Sequence, residues 1–466
     1  MSKCRAKRSP LCSSLTIEPA GKEFVLQNSF TEGKILPAFI KFSLPLLLAM
    51  FLQSMYGAVD LLVVGHFSDA AGVSAVSTGS QIAQIFTNMV SGLTMGSTVL
   101  IGQYIGARND KAAARTVGAT IGLFGAIALL ITALMLFVAV PFARALQAPP
   151  EAFDATVSYV RICGAGTVFV VAYNAISAVF RGIGDSKLPL VFVAIACVVN
   201  VIGDLLLVGA LGMGASGAAI ATVFAQGVSV VLSLVIIRRN GLPFAFHRAD
   251  LAFDGRMIGR IFKTGLPIAL QSALTNISFL VLTGIFNGMG VIVSAGVGVS
   301  EKICNFIMLV PMSFMSSLSA FVAQNIGANK PKRATRTLQY SIVLSTVFGL
   351  LMFYLAFFHG DVLAGVFSKD AAVIAAAADY LRAYAIDCVF VAFLFSFMGY
   401  FNGCGKTVFV MVQGVTASFL VRIPASFLIS RMAGTSLFAI GLATPMASVF
   451  SIILCVIYFY ALKRNA

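Results

Sequence analysis

Val198-Val-Asn-Val-Ile-Gly-Asp-Leu-Leu-Leu-Val208 sets an aspartate, Asp204, and an asparagine, Asn200, inside a long apolar run. Helical positions i and i+4 share a face, so carboxylate and amide point the same way. At mid-membrane depth an ionised acid costs at least ~2.5–3.5 kcal/mol, which marks it as a functional-site candidate facing a cavity or a partner. A structural role, capping or bonding a neighbouring helix, is the weaker reading. The composition around this run is that of a membrane: 59% of the 466 residues are hydrophobic and 11% charged, too little polar surface for a soluble protein. An all-α polytopic membrane protein follows.

The net charge of +15 does not indicate nucleic acid, because the basic residues sit in short loops between apolar runs. Apolar runs long enough to span recur at 42–64, 79–103, 117–140, 157–180, 189–210 and 217–237. They return at 264–288, 296–323, 338–358, 380–402, 407–430 and 438–461. Alternate loops carry most of the lysine and arginine (Arg108, Lys111 and Arg115; Arg181 and Lys187; Arg238 through Lys263; Lys330 through Arg336; Lys406). The opposite set has only Arg144, Lys369 and Arg431. By the positive-inside rule both termini are cytoplasmic and the number of spans is even, which twelve satisfies. A multi-pass protein of the cell membrane is expected. The basic opening residues lack the apolar stretch of a cleavable signal and read as a tail.

Two repeats organise the chain. Phe180-Arg-Gly-Ile-Gly184 recurs as Phe401-Asn-Gly-Cys-Gly405, and one offset also carries Tyr159-Val-Arg161 onto Tyr380-Leu-Arg382 and Gln103-Tyr-Ile-Gly-Ala107 onto Gln324-Asn-Ile-Gly-Ala328. Ser43-Leu-Pro45 matches Gly265-Leu-Pro267. Both halves start on the same side, so they are parallel repeats about an axis along the membrane normal. The expected divisions are a tail (1–41), a first six-helix lobe (42–237), a linker (238–263), a second lobe (264–461) and a short C-terminus (462–466). Two pseudo-symmetric bundles facing each other suit alternating access.

Asp60 lies about 18 residues, or ~27 Å, along the first span, and Asp204 ~22 Å along the fifth. With Asn200 and Thr222 they fall at similar depth, in the outer half of one bundle. Two carboxylates, an amide oxygen and a hydroxyl are hard oxygen ligands, suited to Na+ or to a stored proton. The repeat positions of Asp60, Asn200 and Asp204 are Leu282, Val421 and Ala425, so the second half keeps the frame without this chemistry.

The runs Leu44–Val76, FRGIGDSKLPL, NVIGD and GAAIAT resemble the multidrug and toxic compound extrusion (MATE) family over nearly the whole chain after Thr31. The resemblance implies a V of two six-helix lobes and cation-coupled antiport that expels organic, often cationic, compounds. It assigns Asp60, Asn200, Asp204 and Thr222 to Na+ or proton binding, Gln53 and Tyr56 to the cavity, and Pro45 to a helix bend. Some branches carry a glutamate eight residues after the second LP proline; here that position is Thr275. Asp387 lies near the outer end of the tenth span, not at the deeper acid position of those branches, which weakens coupling through the second lobe.

Gln53, Tyr56, Tyr173 and Asn174 are candidates for a substrate cavity, with Met50 and Met55 more simply read as packing. Glu301, Lys302 and Arg422 are read as structural. The scattered cysteines form no CxxC or Cys/His cluster, so no disulfide framework or zinc site is indicated. The three histidines read as solvated residues of loops or helix ends. FRGIGDSK lacks Walker spacing, and no acid-rich DDxxD metal-diphosphate motif occurs, which disfavours an enzyme. No cofactor, nucleic acid or protein partner is expected, only organic substrates, lipid and the coupling ion, with a monomer as the expected state. The competing reading within transport is a lipid-linked oligosaccharide flippase, which calls for a cationic cavity where this first bundle has acids.

Overall fold

The computed structural model describes residues 30–146, 149–251, 254–432 and 436–464. Most of the basic tail lies outside them. Among the described residues, twelve helices are long and apolar enough to cross a membrane. They are α1 (Ile35–Phe67), α2 (Ala70–Gly106), α3 (Asp110–Ala145), α4 (Pro150–Ile183), α5 (Lys187–Ala210) and α6 (Gly214–Asn240). The second set is α7 (Gly255–Asn287), α8 (Val291–Gly327), α9 (Pro331–Phe358), α10 (Ala371–Gly403), α11 (Thr407–Ser430) and α12 (Leu437–Arg464). Most run past the spans expected from hydropathy, because their polar ends continue the helix beyond the apolar stretch. α1 already begins at Ile35, inside the stretch assigned to the tail. Between α6 and α7 the coil is shorter than the expected linker.

Side-chain caps start several of these helices: Asp69 accepts from the Gly72 amide at 2.9 Å, Asn109 from Ala112 at 3.0 Å, and Asp370 from Ala372 at 2.8 Å. Gly184 (φ 102°) and Gly405 (φ 74°), equivalent in the repeat, end α4 and α10 in the left-handed conformation that glycine adopts without a Cβ clash.

Each half is a six-helix bundle, and the halves meet chiefly along α2 of the first, against α7 and α8, and α8 of the second, against α2 and α1. Gly92 and Gly96, one turn apart on α2, let α7 approach backbone to backbone. A Cβ on Gly92 would lie 2.7 Å from the Ala269 Cα, and one on Gly96 2.5 Å from the Ile261 oxygen. At the basic end the halves meet with nearly two-fold reciprocity. Gly106 sits on the Gln324 backbone and Gly327 on the Gln103 backbone. Gln103 Nε2 donates to the Gly403 carbonyl at 3.1 Å, while Gln324 Nε2 donates to the Gly182 and Ile183 carbonyls at 2.9 Å each. The FRGIGDSK turn is therefore part of this closure.

The segments that lead into α1 and α7 exchange halves. Phe30, ahead of α1, is buried among Phe321, Val322, Ala334 and Leu338 of the second half. Leu242, Phe244 and Phe246, ahead of α7, are buried among Ile101, Ala113 and Val117 of the first. By the repeat offset Ile101, Ala113 and Val117 correspond to Val322, Ala334 and Leu338, so the two seats are equivalent.

Candidate functional site

Asp60, Asn200, Asp204 and Thr222 come together where α1, α5 and α6 meet. Asp60 and Asn200 are 2% and 1% exposed and Asp204 is fully buried. The approach of α5 to α6 depends on Gly203, whose missing Cβ would lie 2.9 Å from that of Ala221. That closeness brings Asn200 within reach of Thr222. Thr222 Oγ1 donates to Asp60 Oδ2 at 2.9 Å, and Asn200 Nδ2 lies 3.2 Å from both Asp60 Oδ1 and Thr222 Oγ1. Immediately after Asp204 the helix widens into a π turn over Leu205–Ala210, with the Leu211 amide bonded to the Leu206 carbonyl at 3.0 Å. Such turns recur at functional sites because they re-aim a side chain at the expense of a regular bond.

The oxygens are unevenly satisfied. Asp60 has two donors, whereas among the described residues no donor reaches either oxygen of Asp204 or Oδ1 of Asn200. The Asp204 carboxyl is a close neighbour of that of Asp60 in the buried cluster, and two bare carboxylates so placed repel, a repulsion that one bound proton would relieve. Buried acceptors without donors are costly. A proton or a monovalent cation supplies what this cluster lacks.

One neighbour was missed by sequence reasoning. Tyr159 on α4 is buried, packs its ring on Gly79, and lies within electrostatic reach of both acids. In the sequence it stood out only as a marker of the repeat.

The candidate cavity residues are placed as follows. Gln53 is half-buried on α1. Tyr56 is buried and its hydroxyl donates to the Val193 carbonyl at 3.0 Å, joining α1 to α5. Tyr173 reaches the Pro189 carbonyl at 3.5 Å. Asn174 accepts from Ser91 at 3.0 Å and donates to Val170 at 2.9 Å, joining α4 to α2. Pro45 lies inside α1 without ending it.

In the second half Leu282 is core, packed with Phe286 and Tyr380. Arg422, beside the position equivalent to Asn200, is 6% exposed. Its guanidinium stacks on Phe279 at 4.1 Å and donates to Ser278 (3.1 Å), Ser418 (3.0 Å) and the Thr275 carbonyl (3.5 Å). Glu301 accepts from Thr283 at 3.5 Å while Lys302 is exposed, so the adjacent pair does not interact.

The MatE family profile matches residues 45–206 and 267–428, once in each half. The chain is 26% identical over 431 residues to "Probable multidrug resistance protein YpnP" of Bacillus subtilis (strain 168), covering 92% of this chain and 96% of that one. It is 23% identical over 411 residues to "Multidrug export protein MepA" of Staphylococcus saprophyticus, covering 87% and 89%. Among solved structures, "Outward-facing conformation of a multidrug resistance MATE family transporter of the MOP superfamily" superposes with a TM-score of 0.89 at 18% identity, over 96% of this chain and all of that one.

Proposed function

The chain belongs to the MatE family, and from that membership we propose that it is a secondary antiporter that exports organic, often cationic, compounds in exchange for Na+ or H+. The relatives' names, multidrug resistance and multidrug export, support efflux of toxic compounds as the task. The observation that carries the coupling is the cluster of Asp60, Asn200, Asp204 and Thr222, with acceptor oxygens that lack donors in a buried site.

The chemistry follows from charge. Two adjacent carboxylates in a low-dielectric site repel unless one is protonated or a cation lies between them. Binding a proton or Na+ there removes a penalty that the empty site carries in every conformation. It therefore shifts the equilibrium between outward- and inward-open shapes only to the extent that one shape holds the ion better. The closure at the basic end, which the positive-inside rule puts in the cytoplasm, is consistent with an outward-open shape in which the ion arrives from outside. Exported compounds pass between the halves in this reading, with the half-buried Gln53 the cavity candidate open to them and Tyr56, Tyr173 and Asn174 buried.

The test is uptake of a fluorescent organic cation into proteoliposomes under an imposed Na+ or H+ gradient, wild type beside Asp204→Asn. Uptake driven by one gradient and lost in the variant is expected, and it names the ion. Folded protein that moves no cation under either gradient would sink the antiport reading and favour lipid flipping.

A further inference from the structure

α1 is held by both halves. Its outer part belongs to the first half through Asp60, bonded to Asn200 and Thr222, and through Tyr56, bonded to the Val193 carbonyl. Its inner part belongs to the second half. Ser313 donates to the Ser43 carbonyl at 3.1 Å, and Phe39 and Phe42 pack in the second-half core. Pro45, which cannot supply the backbone hydrogen bond of its turn, lies between the two attachments.

The inner attachment is made by an arginine that grips backbone. Arg333, in the first turn of α9, donates from Nε to the Phe30 carbonyl (2.8 Å), from Nη2 to Glu32 (2.7 Å) and from Nη1 to Gly33 (2.7 Å). Lys330 and Asn325 add bonds to the Thr31 and Phe30 carbonyls at 3.0 and 3.1 Å. Phe30 stacks on Phe321 with centroids 4.5 Å apart, and its ring edge would lie 3.3 Å from a Cβ at Gly184 in the first half. Phe30 thus wedges between the halves at their closure. If they part, it must leave one of them, and the three-point grip holds it to the second.

We propose that Arg333 is a positioning residue for coupling: by gripping Phe30–Gly33 it fixes the inner end of α1 to the second half, so that a change at Asp60 pulls on the closure at the basic end. A guanidinium presents its donors in a rigid fork that a lysine ammonium does not reproduce. The inference deepens the antiport reading, since that reading supplies the event at Asp60.

The test is a distance. Spin labels are attached through ketone-bearing unnatural residues at the exposed positions 187 and 332, one in each half, which leaves the native cysteines in place. Their separation is measured in lipid nanodiscs for the unsubstituted protein, Asp60→Asn, Arg333→Ala and the double variant. Asp60→Asn, which imitates the neutralised site, is expected to shift the distance distribution, and Arg333→Ala to abolish that response. Arg333→Lys keeps the charge and guards against misfolding; it is expected to restore the response in part. A full response in either Arg333 variant, or none to Asp60→Asn when Arg333 is present, overturns the proposal. The readout needs neither substrate nor transport, so a failed antiport assay and a failed clamp are separately visible.

Discussion

The two halves share one frame and differ in what they bury at its polar positions. In the first, the place where α1, α5 and α6 meet holds two carboxyls, an amide and a hydroxyl, with acceptors to spare. In the second, Leu282, Val421 and Ala425 take the equivalent positions and Arg422 is satisfied by two serines, a carbonyl and a ring face. The buried acid of that half, Asp387, lies elsewhere, midway along α10 rather than near its outer end, and its Oδ1 has no donor among the described residues. At these equivalent positions the first half leaves ligands wanting, as an exchangeable charge requires, and the second satisfies a permanent charge. The frame evidently folds with either, so it does not need the acids at that place.

This contrast can be broken at its strongest point. Asp60→Asn and Asp204→Asn each remove one carboxylate from the proposed coupling site, and gradient-driven uptake is expected to fall to background. A variant retaining more than about a tenth of wild-type exchange, one factor of ten being ~1.4 kcal/mol, would show that the first half is not the coupling half. A second test uses the reciprocity of the closure. Gly106→Ala and Gly327→Ala each drive a Cβ into the opposing backbone, and overpacking of this kind costs about 1–3 kcal/mol. The same spin-label pair is expected to report a similar widening for both. Unequal widening would locate the hinge nearer one half.

Smaller effects sharpen the picture. Thr222→Val deletes one donor to Asp60 and keeps the volume; at about 1.5–3 kcal/mol for a hydrogen bond to a charged group, affinity for the coupling ion is expected to change roughly ten- to a hundredfold. Thr222→Ser should restore it, as read from the ion concentration giving half-maximal uptake. Arg422→Met empties the second-half polar knot, and its expected signature is a lowered melting temperature with the ion dependence of uptake unaltered. A changed ion dependence there would mean that the two halves are coupled at their polar positions after all. Gly57→Ala should do least to stability, because a Cβ there meets open space; an altered uptake rate would show that α1 needs flexibility at that turn.

The frame was legible because its signals are local and repeated: apolar runs of spanning length, basic loops on one side, and motifs recurring at one offset. Asp60, Asn200, Asp204 and Thr222 were legible because helical rise turns sequence position into depth, and polar residues at common depth in one bundle are few. Tyr159 was not, since a tyrosine in an apolar span is unremarkable until its helix is rotated against α1 and α5. Nor was the grip of Arg333. In the sequence it is one more basic residue in a basic loop, and what distinguishes it is a set of main-chain carbonyls about three hundred residues earlier. The tyrosines Tyr56 and Tyr173 carry the same lesson, because their hydroxyls bond to backbone carbonyls, which leave no mark in side-chain chemistry.

The exchange of leading segments between the halves has a bearing on how the protein is made. Phe30 finds its seat only once Phe321 and Arg333 exist, and at about 5–20 residues per second that is roughly 15–60 s after Phe30 is synthesised. Until then the inner end of α1 has an aromatic face with nothing to cover it, and the newborn first half waits in the bilayer unfinished. Expressed as two separate polypeptides, the halves should each be short-lived and should persist only when both are present in the same membrane.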